Sequence, residues 1–162
     1  MRKTVVTSLA LGAAMLLGAP AQAQQAPLDY GPGMTLEIAQ KAVNAAMEEA
    51  KKNNWRLAIA VVTNGGHLVA FSKMDQTQFG SNVIAQHKAR AAATFKRPTK
   101  AFADAIAAAP GNVALLSLDG IIASEGGIPL MLNGKMIGAI GCSGATGAQD
   151  GIACTAGVNA VK

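Results

Sequence analysis

His87 and the basic side chains around it are the residues whose types and spacing point most directly to chemistry. Lys88 and Arg90 flank this histidine, and Arg97 follows at the end of the same Ala-rich run. A neutral imidazole can ligate a metal, and neighbouring cations can hold the acidic groups of a ligand. His87 is therefore either a metal ligand or a hydrogen-bonded structural residue, and the sequence leaves both interpretations open.

Four other residues could carry chemistry apart from the group around His87. His67, at the edge of a Gly-Gly turn, is an alternative metal ligand, although a histidine in such a place usually only meets solvent. Glu125 has the chemistry of a general base, but neither a second carboxylate at useful spacing nor a Ser-His-acid set accompanies it. Cys142 and Cys154 form either a disulfide, in an oxidising compartment, or two small buried thiols. No catalytic residue is therefore predicted, and Glu125 is kept as the alternative.

Several functional classes are disfavoured. The chain has only two cysteines and two histidines, without the paired spacing of a zinc site. The glycines of residues 141–147 lack the spacing of a nucleotide fingerprint, and no P-loop lysine follows them. The chain has 14 lysines and arginines against 9 acidic residues, and two of these cations, Arg2 and Lys3, belong to the signal described below. The remaining excess of positive charge is mild, so nucleic acid is not an expected partner.

The first residues have the pattern of a secretory signal. Arg2 and Lys3 precede an apolar run over 5–17, and a small-residue cleavage site follows at 21–23. We predict a signal peptide over 1–23, a flexible leader over 24–33 rich in Gln, Pro and Gly, and one domain over 34–162. The protein is then exported to the periplasm or beyond, and no membrane-spanning helix is expected in the mature chain.

Periodic patterns predict the elements that position these residues. Helices are expected at 35–53, 81–96, 99–108 and 147–161, with Thr35 and Thr99 as N-caps. Strands are expected at 57–62, 68–74, 121–123, 128–132 and 136–142, and a turn or short helical piece at 112–118. This order predicts an α+β domain with a single-layer, mainly antiparallel sheet of about five strands and helices packed on it. His87 is expected on or beside the stripe of Ile84, Ala91 and Phe95, which faces the core.

Three segments together resemble the GlcG/HbpS family of small haem-binding proteins, which is related to the C-terminal domain of some corrinoid adenosyltransferases. They are Asn64-Gly65-Gly66-His67 with the strand that follows, Ala93-Thr94-Phe95-Lys96-Arg97-Pro98-Thr99, and Ser124-Glu125-Gly126-Gly127-Ile128-Pro129-Leu130 with residues 133–150. The resemblance extends from about Met34 to Lys162. It implies profilin-like layering, homo-oligomers and haem as the cofactor.

The resemblance also implies where the ligand binds. It places the pocket near the helix that carries His87 and near residues 95–99. From the residues themselves, the predicted metal ligand there is His87, with His67 as its alternative. The predicted cofactor-binding set is His87, Lys88, Arg90, Phe95, Arg97 and Thr99. The implied function is sequestration, transport or sensing of haem or a related tetrapyrrole.

Two other functions are kept as alternatives. The first is an enzyme or binder for a small hydroxy or keto acid, with Arg97, Lys88 and Glu125 as its residues. The second is a homo-oligomeric structural module, because an exposed strand edge favours pairing between subunits.

Overall fold

The computed structural model describes residues 28–162. The predicted signal peptide and the start of the predicted leader lie outside this range and stay predictions. The elements are α1 (Leu36–Lys52), β1 (Ala58–Thr63), β2 (Leu68–Lys73), α2 (Ser81–Thr94), α3 (Lys100–Ala108), a 3-10 helix (Pro110–Ser117), β3 (Gly127–Leu132), β4 (Lys135–Ser143) and α4 (Gly147–Val161). The helix starting at Leu36 is capped as predicted, because the Thr35 hydroxyl accepts a hydrogen bond from the Ile38 N–H.

The strands form one antiparallel sheet in the order β2-β1-β4-β3. Both hairpins, β1–β2 and β3–β4, form as predicted, and β1 and β4 pair in the middle with Val61 opposite Ile140. The α+β class is confirmed, but the sheet of residues 28–162 has four strands rather than five. The segment 121–123 does not join it. Its isoleucines, Ile121 and Ile122, border a cleft on α2 instead.

Helices cover both faces of the sheet. On one face, α1 and α4 pack over a core that includes Leu57, Ile59 and Ile137. On the other face, α2 packs over a core of mostly small side chains, among them Ala60 and Ala139. The alternation of side chains along β1 divides its residues between these two cores. No helix within 28–162 is long and apolar enough to cross a membrane.

The α2 helix lies unusually close to the sheet. Gly141 sits under Ala85 and Ala89, and a Cβ atom at this glycine would overlap the Ala85 carbonyl oxygen. Only a glycine on the strand and alanines on the helix permit this approach. The buried face of α2 is therefore Ala85, Ala89 and Ala92, and His87 is exposed on the outer face. The prediction that His87 lies on or beside a core-facing stripe is wrong, because an Ala-rich helix carries little information about which side faces the sheet.

The described end of the predicted leader is attached to the sheet. The Met136 N–H donates to the Asp29 carbonyl at 2.8 Å, and the Gly31 N–H donates to the Met136 carbonyl at 2.7 Å. The Lys96 ammonium donates to the Leu28 carbonyl and stands 3.8 Å from the centre of the Tyr30 ring. Residues 28–31 thus form part of the folded unit.

Candidate functional site

A cleft of about 380 Å³ lies between the outer face of α2 and the segment 119–122. The helix contributes His87 and Arg90, which are three positions apart and so project on the same side of it. The opposite wall is formed by Asp119, Gly120, Ile121 and Ile122. Gly120 has a φ of 80°, a backbone conformation that favours glycine, and it turns the chain back toward α2.

Arg90 is anchored by the β1–β2 turn. Its Nε donates a long hydrogen bond of 3.4 Å to the Gly66 carbonyl. Gly66 has a φ of 79°, and a Cβ there would stand 2.8 Å from the Arg90 Cγ. The turn can approach the arginine only because residue 66 is glycine. The side chain of Arg90 stays exposed, so its charge is available to a ligand.

The cleft combines three kinds of chemistry. The His87 imidazole can act as a donor to a metal, the Arg90 guanidinium can bind a carboxylate, and Ile121 and Ile122 offer apolar surface. Asp119 adds one negative charge to the same wall. A ligand suited to this cleft has an apolar body, an acidic group and a centre that accepts an imidazole.

An aromatic pair lies at the end of α2. The rings of Phe95 and Phe102 meet edge to face, with centroids 5.5 Å apart. The Arg97 guanidinium lies 5.7 Å from the Phe102 ring, and its Nε donates to the Phe95 carbonyl. A Cβ at Gly120 would lie 3.9 Å from the Phe95 ring, so this pair stands behind the wall of the cleft. Phe95 and Arg97 are thus adjacent to the cleft and do not line it.

Lys88 does not face the cleft. Its ammonium is 2.8 Å from the Asp150 carboxylate at the start of α4, and both side chains are only 2% exposed. The role predicted for Lys88, binding an acidic ligand group, is therefore wrong, because its charge is neutralised inside the protein. Burial raises the pKa of Asp150, while the hydrogen bond and charge of Lys88 act in the opposite direction.

Thr99 also has a structural role in place of the predicted ligand role. Its hydroxyl donates to the Ser124 carbonyl at 2.6 Å and accepts from the Gly127 N–H at 2.9 Å. It is fully buried and makes no hydrogen bond as an N-cap, although it precedes α3 as predicted. Residues 124–127, which we call the strap, are thereby fastened to the start of α3.

The strap has no room for side chains at its glycines. A Cβ at Gly126 would stand 2.8 Å from the Asp150 Cβ and 3.0 Å from the Lys88 Nζ, and one at Gly127 would overlap the Lys88 carbonyl. The strap also meets the disulfide, since the Gly126 carbonyl accepts from the Cys142 N–H at 2.8 Å. The glycines are therefore required by close packing.

Glu125 and His67, the remaining candidates, lie away from the cleft. The half-buried Glu125 side chain packs against Gly147 and Gly151 in the first turns of α4. His67 is exposed beside Gly65, and its backbone N–H donates to the Thr63 hydroxyl. The structure thus brings His87 and Arg90 together at the cleft, whereas Lys88, Thr99, Glu125 and His67 do not line it. His67 directly follows Gly66, whose carbonyl accepts the hydrogen bond from Arg90.

The two cysteines are bonded to each other. Cys142 at the end of β4 and Cys154 in α4 form a disulfide with Cα atoms 5.8 Å apart. It links α4 to the central strand of the sheet. Within residues 28–162 no group of three or more His, Cys, Asp or Glu side chains is arranged to hold a metal ion.

Sequence reasoning missed four functional or structural residues. Asp119, Ile121 and Ile122 are part of the cleft, and the Asp-Gly turn at 119–120 is the signal that marks a change of chain direction there. In the sequence, Asp150 shows no signal beyond a favourable negative charge in the first turn of α4. A lysine that is buried in a helix needs a carboxylate partner, but no local pattern identifies that partner.

Comparisons with known proteins agree with this fold. Residues 34–159 match the family model described as "Haem degrading protein HbpS-like". Protein GlcG of Escherichia coli is 41% identical over 110 residues, which is 68% of this chain and 81% of that protein. A crystal structure of a double mutant of HbpS from Streptomyces reticuli is 31% identical with a TM-score of 0.74, covering 93% of this chain and 99% of that one.

A complex of PduOC with haem is similar in fold. It is 22% identical, has a TM-score of 0.72, and the match covers 80% of this chain and 96% of that one. That crystal structure is described as a complex of the protein with haem.

Proposed function

Because the chain belongs to the HbpS-like family, we propose that it binds haem or a related tetrapyrrole at the cleft between α2 and residues 119–122. Family membership alone names no site. The observation that carries the proposal is that His87 and Arg90 border one cleft with Ile121 and Ile122. An imidazole for the iron, a cation for a propionate and apolar side chains for the ring are the groups that haem binding needs.

The dimensions of the cleft decide how the ring would bind. A volume of about 380 Å³ is near the lower end of the range for ligand pockets, roughly 300–1,000 Å³. A haem would therefore be held along one edge with much of its other edge exposed. Asp119 repels a propionate on its own side, so the propionates would be directed toward Arg90.

We propose sequestration, transport or sensing as the role of this binding. An exposed edge allows haem to pass to a partner, which suits transport. In this cleft, His87 would supply an imidazole to the iron. The alternative of a small hydroxy or keto acid loses its residue set, because Lys88 is buried against Asp150 and the Glu125 side chain packs against α4 and not in the cleft.

We further propose that the protein is exported. The N-terminal signal pattern supports this, and the Cys142–Cys154 disulfide is consistent with an oxidising compartment. Fractionation of cells followed by N-terminal sequencing tests it. A chain beginning near Gln24 in the periplasm or medium is expected, and an intact N-terminus in the cytoplasm would contradict export.

Assembly of several copies is the second function that an observation favours. The strand β2 is an edge of the sheet, and Leu68 and Phe71 on it are 49% and 36% exposed. An uncovered edge with apolar side chains favours pairing with another chain. Light scattering should give a mass above that of the monomer, and Phe71→Lys should lower it.

The test of haem binding is a titration of the purified protein with haemin, followed by absorbance. Saturable binding with a shifted Soret band is expected in the parent protein and in His67→Ala. His87→Ala should lose the shift, and His67→Ala is its matched control because both histidines are exposed. A parent protein without a saturable spectrum would overturn the proposal, and loss of the shift only in His67→Ala would move the site to the β1–β2 turn.

A further inference from the structure

A second cleft, of about 430 Å³, lies between the end of α1 and the ends of β1 and β2 that adjoin it. It shares no lining residue with the first cleft. We propose that it binds an aliphatic carboxylate, with the acid group held by Arg56 and Lys73 and the hydrocarbon chain lying against Met47 and Met74. Its volume is within the usual range for small-molecule sites, roughly 300–1,000 Å³.

The positive charge in this cleft is only partly compensated. Lys51, Arg56 and Lys73 line it together with one acidic residue, Asp75. The Lys51 ammonium is 2.8 Å from the carboxylate of Glu48. Among the ion pairs within residues 28–162, none involves Arg56 or Lys73. The Lys73 ammonium instead faces the Phe79 ring at 5.4 Å. Two cations therefore remain to bind an anion.

The walls of the cleft are held by backbone hydrogen bonds. The Met74 N–H donates to the Leu57 carbonyl at 2.9 Å, and the Leu57 N–H meets the Met74 sulfur at 3.4 Å. At the end of α1, the Asn53 and Trp55 N–H groups both donate to the Ala50 carbonyl. That carbonyl at the negative pole of the helix is thus already bonded, which lessens the repulsion that an anion would meet there.

The balance of charge and surface selects the ligand class. With Asp75 in the wall, a ligand with a single negative charge suits Arg56 and Lys73 better than a phosphate ester, which carries more charge. Arg56 has the planar fork that binds a carboxylate with two hydrogen bonds. Met47 and Met74 are flexible, polarisable side chains that adapt to an aliphatic chain. These features together favour a fatty-acid-like monocarboxylate.

The test uses octanoate as the probe and the fluorescence of Trp55, the single tryptophan of the chain, as the readout. Trp55 precedes Arg56 directly, so a ligand on that arginine should change its emission. Saturable binding of octanoate is expected. Arg56→Gln and Lys73→Gln should each weaken it about tenfold, because each removes one of the two cations that bind the carboxylate by charge-assisted hydrogen bonding.

Two controls make the result decisive. Lys135→Gln removes an exposed cation at the β3–β4 turn and should leave the affinity unchanged. The uncharged 1-octanol should bind much more weakly than octanoate. Equal binding of 1-octanol, or unchanged octanoate affinity in Arg56→Gln and Lys73→Gln by both fluorescence and calorimetry, would overturn the proposal. Because haem binding uses other residues, failure here leaves the haem titration unaffected.

Discussion

His87 and Lys88 are neighbours in sequence, yet they belong to two regions with opposite physical character. His87 lies in the open cleft on the outer face of α2, where polar groups face solvent. Lys88 lies beneath the strap, where its ammonium is paired with Asp150 and the Thr99 hydroxyl is bonded to the strap backbone.

The difference separates structural residues from candidates for function. Beneath the strap, hydrogen bonds and ion pairs are completed within the chain, so substitutions there should damage folding. In the cleft, His87 and Arg90 retain bonding capacity that the protein does not use, so substitutions there should affect a ligand. Stability and ligand binding should therefore respond to different residues.

The largest expected effect is that of Lys88→Met. Removing the ammonium leaves the Asp150 carboxyl buried without its partner, and breaking a buried ion pair in this way costs about 3–5 kcal/mol of the free energy of unfolding. Urea denaturation measures it. Lys100→Met is the control, because Lys100 pairs with Asp104 at the surface and should show no measurable change. A small effect of Lys88→Met would remove the distinction between the two regions.

The double variant Lys88→Met/Asp150→Leu sharpens the same point. It removes both charges and places apolar side chains in the space, so most of the stability lost in Lys88→Met should return. If the double variant were as unstable as Lys88→Met, the loss of stability would not come from an unpaired charge. It would come from the loss of the hydrogen bond and packing that the two side chains make beneath the strap.

Loss of the disulfide should have the next largest effect. The bond closes a sequence separation of 12 residues, for which chain entropy in the unfolded state predicts about 3 kcal/mol. The double variant Cys142→Ala/Cys154→Ala should show this loss in urea denaturation, while the haem affinity of the folded protein should stay the same. A large change in affinity with no change in stability would reverse the assignment of the two regions.

The pH dependence of Asp150 gives a smaller, directional test. Burial raises the pKa of this carboxyl in the folded protein, so the folded state binds its proton more tightly than the unfolded state. Its contribution to stability is present at acidic pH and is lost as the pH rises through the raised pKa. The free energy of unfolding of the parent relative to Asp150→Asn should fall from about pH 4 upward. A rise would mean that the attraction of Lys88 exceeds the effect of burial.

The smallest effect on stability should be in the open cleft. His87→Ala should change the free energy of unfolding by no more than about 0.5 kcal/mol, since exposed substitutions away from packed features have small effects. Arg90→Gln should cost no more than about 1 kcal/mol, since it also removes the long hydrogen bond to Gly66. Both should weaken haemin binding in the absorbance titration. A destabilisation like that of Lys88→Met would show that the outer face of α2 is structural as well.

Much of the fold was predictable because its signals are local. The Thr35 cap, the two Gly-containing hairpin turns and the final helix at Gly147–Val161 form as the sequence indicates. The predicted strand at 121–123 failed because three apolar residues are compatible with a strand or with a loop lying on a helix, and only the neighbours decide between them. The candidate site was predictable only in part, because His87 and Arg90 line the cleft while Phe95 and Arg97 lie beside it. Lys88 and Thr99 are buried elsewhere.

The sequence by itself determined the class of fold, the positions of most elements and the presence of an imidazole among cations, since these depend on periodicity and residue type along the chain. The tertiary structure alone decided which cations face a ligand. That choice depends on the rotation of α2 about its own axis. The close contact of Ala85 and Ala89 with Gly141 sets this rotation. The choice depends equally on Asp150, which is 62 positions away from Lys88 in sequence. Folding places this carboxylate beside Lys88, and the ion pair allows the lysine to be buried.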